Sequence, residues 1–597
     1  MKCFTTILSP IRRFWLPIIL IVTTALIVFA YNSAHFQTQS APVNQLVSTI
    51  LGEPQTFNTA FNQAGVNIFG LTYEGLVKEN PVTGKVEPAL AESWRISDDK
   101  LRIVFNLRYG LKWSDGKPLT ADDVVFTYKD IYLNQEIPTV LIDTFRIGES
   151  RALPKVRKLD EHRIEFILPE PYVPFLGITA AEVLPAHALQ ASVKTKDQEG
   201  KPMFITKWGT DTPPDQLIAN GPYILERYDI GQRLVFRRNP YYWRKDAQGN
   251  SQPYIERIVW QIVASTDTSL LQFRSGGLDV EALEPQHFSL LKRQEKQGNY
   301  KIYAQPSFRP EFLVFNLNKA TRDGKPLVDP VKSRWFNTVE FRQAVAYAID
   351  RQTMLNNTFQ GLGKLENSPI LAQSPYYLSP TEGLKVYDYN PQKAKELLLK
   401  AGFKYNDKNQ LLDALDNRVR FSLITGAGSK TTDAIGSQIK QDLSKIGIAV
   451  DFVTMVNNAL IDKLFNSQDW ETSFGSFLSS LEPNDLAGVW TAQNGGPLFN
   501  LSPQAGHKPI QGREVADWEA EIGKLYSQAA QEFDQAKRKA VYAETQRLAQ
   551  EYLPCIYLIN RLEMMAVRDR IQGIKYSAKY APIAHKFWNI HEIKVTQ

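Results

Sequence analysis

Between Leu101 and Leu107 apolar and polar side chains alternate, which puts Leu101, Ile103, Phe105 and Leu107 on one side of the chain. A period of two is that of a strand with one buried face. Ser97–Lys100 predicts the turn before this strand and Gly110–Pro118 the turn after it. Thr120 then caps a helix with Asp123 at its third position, and Val124, Val125, Tyr128 and Ile131 give that helix an apolar face. Asp122 and Asp123 therefore lie in a first helical turn, where negative charge favours the exposed amides and the helix dipole. Neighbours on a helix diverge by about 100°, so the two aspartates are scaffold and not a converging catalytic pair.

The same reading extends along the chain. "NQLVSTI" (44–50) predicts a strand, "HRIEFILPEPYVPFLG" (162–177) a strand ending in proline turns, and "ANGPYILERYDIGQRLVFRRNPYYW" (219–243) two strands joined by a turn. "SLLQFRSGGLDV" (269–280) is a helix stopped by Gly276-Gly277 and followed by a strand. In 339–357, Phe341, Val345, Ala348 and Ile349 share one helical face. Asn390, Pro391 and Gly402 mark the cap, first position and end of another helix. Residues 420–455 read as strand, loop, helix and strand, a βαβ unit. The fold class is mixed α/β throughout.

The first thirteen residues contain Lys2, Arg12 and Arg13 and no acid, and Phe14–Ala30 carries no charge. As a helix of seventeen residues it would reach roughly 25 Å, a marginal bilayer span. Residues 1–43 are therefore an export segment with a polar tether, either cleaved near Ala34 or retained as a membrane anchor at 14–30. Either outcome places the body outside the cytoplasmic membrane, in a periplasmic or other extracytoplasmic location. At 597 residues that body has room for two or three lobes. The net charge of +6 is spread thinly, which argues against nucleic acid as a partner. The two cysteines, Cys3 and Cys555, are separated by the export segment, so no structural disulfide is expected.

Reaction chemistry is hard to find. "GAGSKTT" (426–432) lies between strand and helix but lacks the spacing of a phosphate loop. "DKNQLLD" (407–413) lacks the glycine and glutamate of a calcium loop and predicts a polar hairpin. The seven histidines fall at no local metal-ligand spacing, there is no Gly-x-Ser-x-Gly elbow, and Cys555 sits in apolar "LPCIYLI". The expectation is a protein that is not an enzyme, with no catalytic residue, metal or cofactor.

Six segments follow one another along the chain: "LAESWRISDDKLRIVFNLRYGLKWSDGKPLTADDVVFTYK", "NGPYILERYDIGQRLVFRRNPYYW", "FRSGGLDV", "FRQAVAYAIDR", "NPQKAKELLLKAGF" and "IKQDLSKIGIAVDF". Together and in this order they resemble the family 5 extracellular solute-binding proteins, the oligopeptide, dipeptide and nickel receptors of ABC importers. The resemblance implies a bilobal periplasmic-binding-protein-like clamp with an extra domain inserted in its amino-terminal lobe. Residues 44–83, 213–306 and 568–597 would form lobe I, 84–212 the inserted domain and 307–567 lobe II. It also implies a monomeric receptor that closes on a small-molecule or peptide ligand and delivers it to permease subunits. The alternatives are a receptor for a metal complex or oligosaccharide, or a membrane-tethered sensory or scaffolding protein.

Ligand contacts carry over less directly. Peptide receptors of the family hold the ligand's amino group with an aspartate in a Trp-x-x-Asp-x-x-x-Pro block. The matching run is "FLSSLEP", where Phe477 replaces the tryptophan and Ser479 or Ser480 stands at the aspartate. Glu482 and Asp485 are the nearby acids, with Glu482 expected as the replacement anchor. Asn484 and Trp490 add an amide and an indole to this wall, and Phe57 and Asn58, after the first strand, are expected on the opposite one.

Overall fold

The alternating run is a strand, Arg102–Leu107, second in an antiparallel sheet ordered Ala91–Ile96, Arg102–Leu107, Arg163–Ile167, Lys155–Lys158. It is described here from a computed structural model covering residues 44–61, 66–139, 141–148, 150–492, 496–502, 508–579 and 587–596. The expected export helix at 14–30 lies outside these residues. Among those described, no helix is long and apolar enough to cross a membrane. After the strand, Thr120 and Asp123 cap each other's amide region as expected: Asp123 receives the Thr120 amide at 2.9 Å, and the Thr120 hydroxyl receives the amide of Asp122 at 3.3 Å. Asp123 also accepts the Ala186 amide at 2.9 Å, and Asp122 pairs with Lys158 at 2.7 Å. Both carboxylates are engaged in scaffolding. Helix Ala121–Val125 widens into a π-wound segment, Phe126–Tyr132, whose Tyr128 and Tyr132 join Phe145 and Phe166 in an aromatic core.

Strand Gln45–Ile50 runs parallel to Arg257–Ile262, and Arg233–Arg238 and Tyr223–Asp229 complete that sheet. Its buried residues and those of the antiparallel sheet pack without a break into one core, which also takes in Met565, Val567, Ile571, Tyr576, Phe587, Ile590 and Ile593. A second core surrounds a five-stranded sheet ordered Ala449–Met455, Arg420–Gly426, Thr472–Ser476, Glu311–Phe315, Cys555–Tyr557. The expected βαβ unit is part of it. Arg420–Gly426 and Ala449–Met455 are parallel, and Ser429 caps the intervening helix Lys430–Ser444 by accepting the Thr432 amide. Residues 404–412 form the expected hairpin.

Two segments pass between the cores. Tyr300–Pro306 leads through 307–310 into Glu311–Phe315. Ile559–Arg568 returns, pairing Gly363–Leu365 at its start and both Val280–Leu283 and Tyr300–Pro306 further on.

Candidate functional site

Three parallel strands of the second sheet end on one edge, at Gly426, Met455 and Ser476. Ligands of open α/β sheets bind outside such carboxyl ends. The chain leaving Ser476 is the segment 477–490. Pro483 starts a 3₁₀ turn, Pro483–Val489, and Glu482 caps it by accepting the Asn484 amide at 3.0 Å. The turn swings Leu486, Val489 and Trp490 over an apolar cavity of about 270 Å³.

Aromatic rings dominate the cavity wall. Phe477, 41 % exposed, tilts over Phe312 at 5.4 Å, and Phe312 meets Tyr557 at 6.0 Å. Trp490 is buried against Phe499 at 6.0 Å and lies parallel to Tyr526 at 6.5 Å. Ser479 also lines the cavity, with its amide donated to the Phe308 carbonyl at 2.7 Å. The Cys555 thiol lies in this lining, and burial pushes it up to about 12, so it is packing and not a nucleophile. Protein interiors hold few voids larger than a water molecule. This one exceeds the roughly 150 Å³ of an apolar cavity that accepts benzene. A larger groove of about 1320 Å³, between Asp267, Glu284 and His287 on one side and Asp350, Lys430 and Lys445 on the other, is open and polar.

The acids of the segment differ sharply in their partners. Glu482 receives both guanidinium nitrogens of Arg538 at 2.8 Å each and the Tyr542 hydroxyl at 3.1 Å. Arg538, 3 % exposed in its side chain, also donates to the Ala529 carbonyl and the Tyr376 hydroxyl. Burial pulls the Arg538 guanidinium down, but the Glu482 carboxylate outweighs it and holds the guanidinium above its usual range, while desolvation raises the Glu482 carboxyl against the pull of Arg538. The expectation that Glu482 anchors a ligand amine is therefore corrected: its oxygens are already filled by a structural ion pair. Ser480 donates to Asp485 at 2.6 Å. Asp485 remains open to solvent although its surroundings raise its carboxyl by desolvation, with Ser480, Lys579 and Arg538 pulling it back. A carboxylate that is wet yet hemmed in by protein lies in a cleft.

That cleft lies between the two cores. Asn484 donates to the Tyr172 hydroxyl at 3.4 Å, and Tyr172 packs on the first core. Leu481 clusters with Phe308, Leu371 and Ala578 and approaches Gly84. Lys579 pairs with Glu79 at 2.5 Å on the first-core side, within electrostatic reach of Asp485.

Phe57 and Asn58 are placed differently from expectation. Phe57 is 2 % exposed and meets Tyr228 edge-on at 5.6 Å. Asn58 is 1 % exposed and donates to the carbonyls of Phe204 and Lys207, each at 3.1 Å. Both are spent on holding the loop after the first strand to residues 204–208. Sequence reasoning missed Phe312, Phe499, Tyr557 and Arg538. The first three lie in apolar runs that look like any core, and Arg538 stands among Lys537, Arg538 and Lys539 with no mark of burial. Among the described residues no group of histidine, cysteine or acidic side chains could hold a metal ion.

Residues 85–497 match the family model described as "Bacterial extracellular solute-binding proteins, family 5 Middle". The chain is 28 % identical over 558 residues to a "Probable ABC transporter-binding protein" of Deinococcus radiodurans, covering 88 % of each. Its fold matches the oligopeptide-binding protein AppA of Bacillus subtilis in complex with a nonapeptide, with a TM-score of 0.69, 22 % identity, and coverage of 93 % of this chain and 99 % of that one. It also matches MelB of Agrobacterium fabrum in complex with stachyose, with a TM-score of 0.74, 19 % identity, and coverage of 92 % and 84 %.

Proposed function

Because this chain belongs to the bacterial extracellular solute-binding proteins of family 5, we propose that it is the extracytoplasmic receptor of an ABC importer for peptides or peptide-like solutes. Proteins of this family bind and carry no catalytic machinery, in keeping with the sequence. The body is a clamp: residues 44–83, 213–306 and 568–597 make one lobe with 84–212 inserted in it, and 307–567 make the other. Ligand enters between the lobes and the closed form docks on permease subunits, while residues 1–43 direct export and are either removed or hold the body to the membrane.

The observation that carries the peptide reading is an apolar cavity whose lining residues are chain neighbours of a polar pair. Ser479 and Leu486 line the cavity, and their chain neighbours Ser480 and Asp485 form the hydrogen-bonded pair beside it. A peptide offers both kinds of group at side-chain spacing. Asp485 is the acid placed to receive an ammonium, in the role first expected of Glu482. MelB, with its bound stachyose, motivates the alternative of an oligosaccharide. A sugar needs hydrogen-bond partners over most of its surface, and the aromatic walls supply few. Thermal shift and calorimetry of the purified chain against tripeptides, stachyose and nickel–histidine decide between them, since a true ligand raises the midpoint by mass action. Stabilisation by tripeptides is expected. Stabilisation by stachyose or nickel–histidine and by no peptide overturns the peptide reading.

A further inference from the structure

The cavity beneath Phe477 has a shape and chemistry that select one kind of side chain, an inference that rests on the peptide reading. We infer that it is the specificity pocket of this receptor and takes one bulky, uncharged apolar side chain of the ligand, aromatic or long aliphatic. Its volume of about 270 Å³ admits a single such group and not a folded segment of peptide. The lining rings Phe312, Phe477, Trp490, Phe499 and Tyr557 present faces and edges on several sides, the arrangement that favours edge-to-face contact with a further ring.

Among the described residues no charged side chain lines the cavity. Three carboxylates close to it in sequence are turned to other duties. Glu482 is held by Arg538, Asp485 accepts from the Ser480 hydroxyl, and Glu311, on the strand face opposite Phe312, lies near the Arg561 guanidinium. A charged side chain entering the cavity would leave water and meet no counter-ion, which is strongly unfavourable. The entrance is equally specific in position. Phe477 and Val489 are its exposed members, at 41 % and 43 %, while Trp490 and Cys555 are buried at its floor and wall.

The test is calorimetry of the full chain with tripeptides in which Phe, Leu, Ala, Asp or Lys is placed in turn at each position of an otherwise alanine sequence. One position is expected to prefer Phe or Leu over Ala by about tenfold to a hundredfold, the range for burying such a side chain, and to reject Asp and Lys. Cys555→Phe fills the cavity from within and Val489→Trp narrows it from the exposed rim. Either variant should erase the preference for Phe or Leu over Ala. The rim variant keeps the test open if the buried one does not fold. Equal affinity for every side chain at every position, or a preference that survives in folded Val489→Trp and Cys555→Phe, overturns the pocket and leaves the peptide reading intact. Binding of stachyose with no binding of any tripeptide overturns both.

Discussion

At the scale of single residues, the ion pair of Glu482 and Arg538 decides what that acid can do. Breaking a buried pair leaves an uncompensated charge, so Glu482→Gln should lower unfolding free energy by about 3–5 kcal/mol in denaturant titrations. Replacing both partners, as in Glu482→Gln with Arg538→Met, should recover much of the loss. A stability effect of this size, with ligand affinity per folded molecule little changed, separates support of the turn from ligand contact. Two other acids make a pH prediction. Glu281 and Glu366 are 1 % and 2 % exposed, and burial pushes both up to about 7 from an ordinary 4.5. The folded state therefore holds protons on these two groups that the unfolded chain has released, so their contribution to stability is full below about pH 4.5 and is lost as pH rises to about 7. Each contributes on the order of 3 kcal/mol across that window. Glu281→Gln and Glu366→Gln should each flatten this part of the stability profile, measured by unfolding from pH 5 to 8. A profile identical to that of the parent chain would show that these carboxyls do not titrate there.

At the scale of elements, local rules served well where one face of an element is wet. The alternation of Leu101–Leu107, the Thr120 cap, the Asn390–Pro391 helix start and the βαβ unit at 420–455 all appear as the sequence predicts. The position of the segment 477–490 was legible from its chain order, whereas its contacts were not. Arg538 reaches it from 56 positions away, and no local pattern marks which of three neighbouring cations is buried. The crossing strand Ile559–Arg568 was equally hidden. With neighbours on both sides its sequence shows no clean alternation, and most of its partners lie more than 250 positions away. Gly363 shows how tightly it is held. A Cβ there would come within 2.9 Å of the Asn560 carbonyl and 3.1 Å of the Arg561 Cα, both backbone. Gly363→Ala should therefore cost about 1–3 kcal/mol of stability by forcing these strands apart, a loss readable as a lowered midpoint. An unchanged midpoint would mean the strand pair yields freely at this end.

At the scale of the whole molecule, the two cores meet through the 477–490 segment and through the crossing segments at 307–310 and 559–568. The contacts of Asn484 with Tyr172 and of Leu481 with Ala578 are part of that meeting. The crossing strand has a further consequence, in the order of synthesis. It completes the sheet between the cores, and the edge strand Cys555–Tyr557 just before it completes the second sheet. Met565, Val567, Ile571, Tyr576, Phe587, Ile590 and Ile593 then join the first core. On the proposed export of this chain, amino terminus first, both halves lack the pieces they need until nearly all of it has crossed the membrane, and neither is expected to settle into its final packing before then. A chain ending at Tyr552 should accordingly be digested throughout by a dilute protease, with no resistant fragment from either half. A resistant fragment would show that one half consolidates before its closing strand arrives.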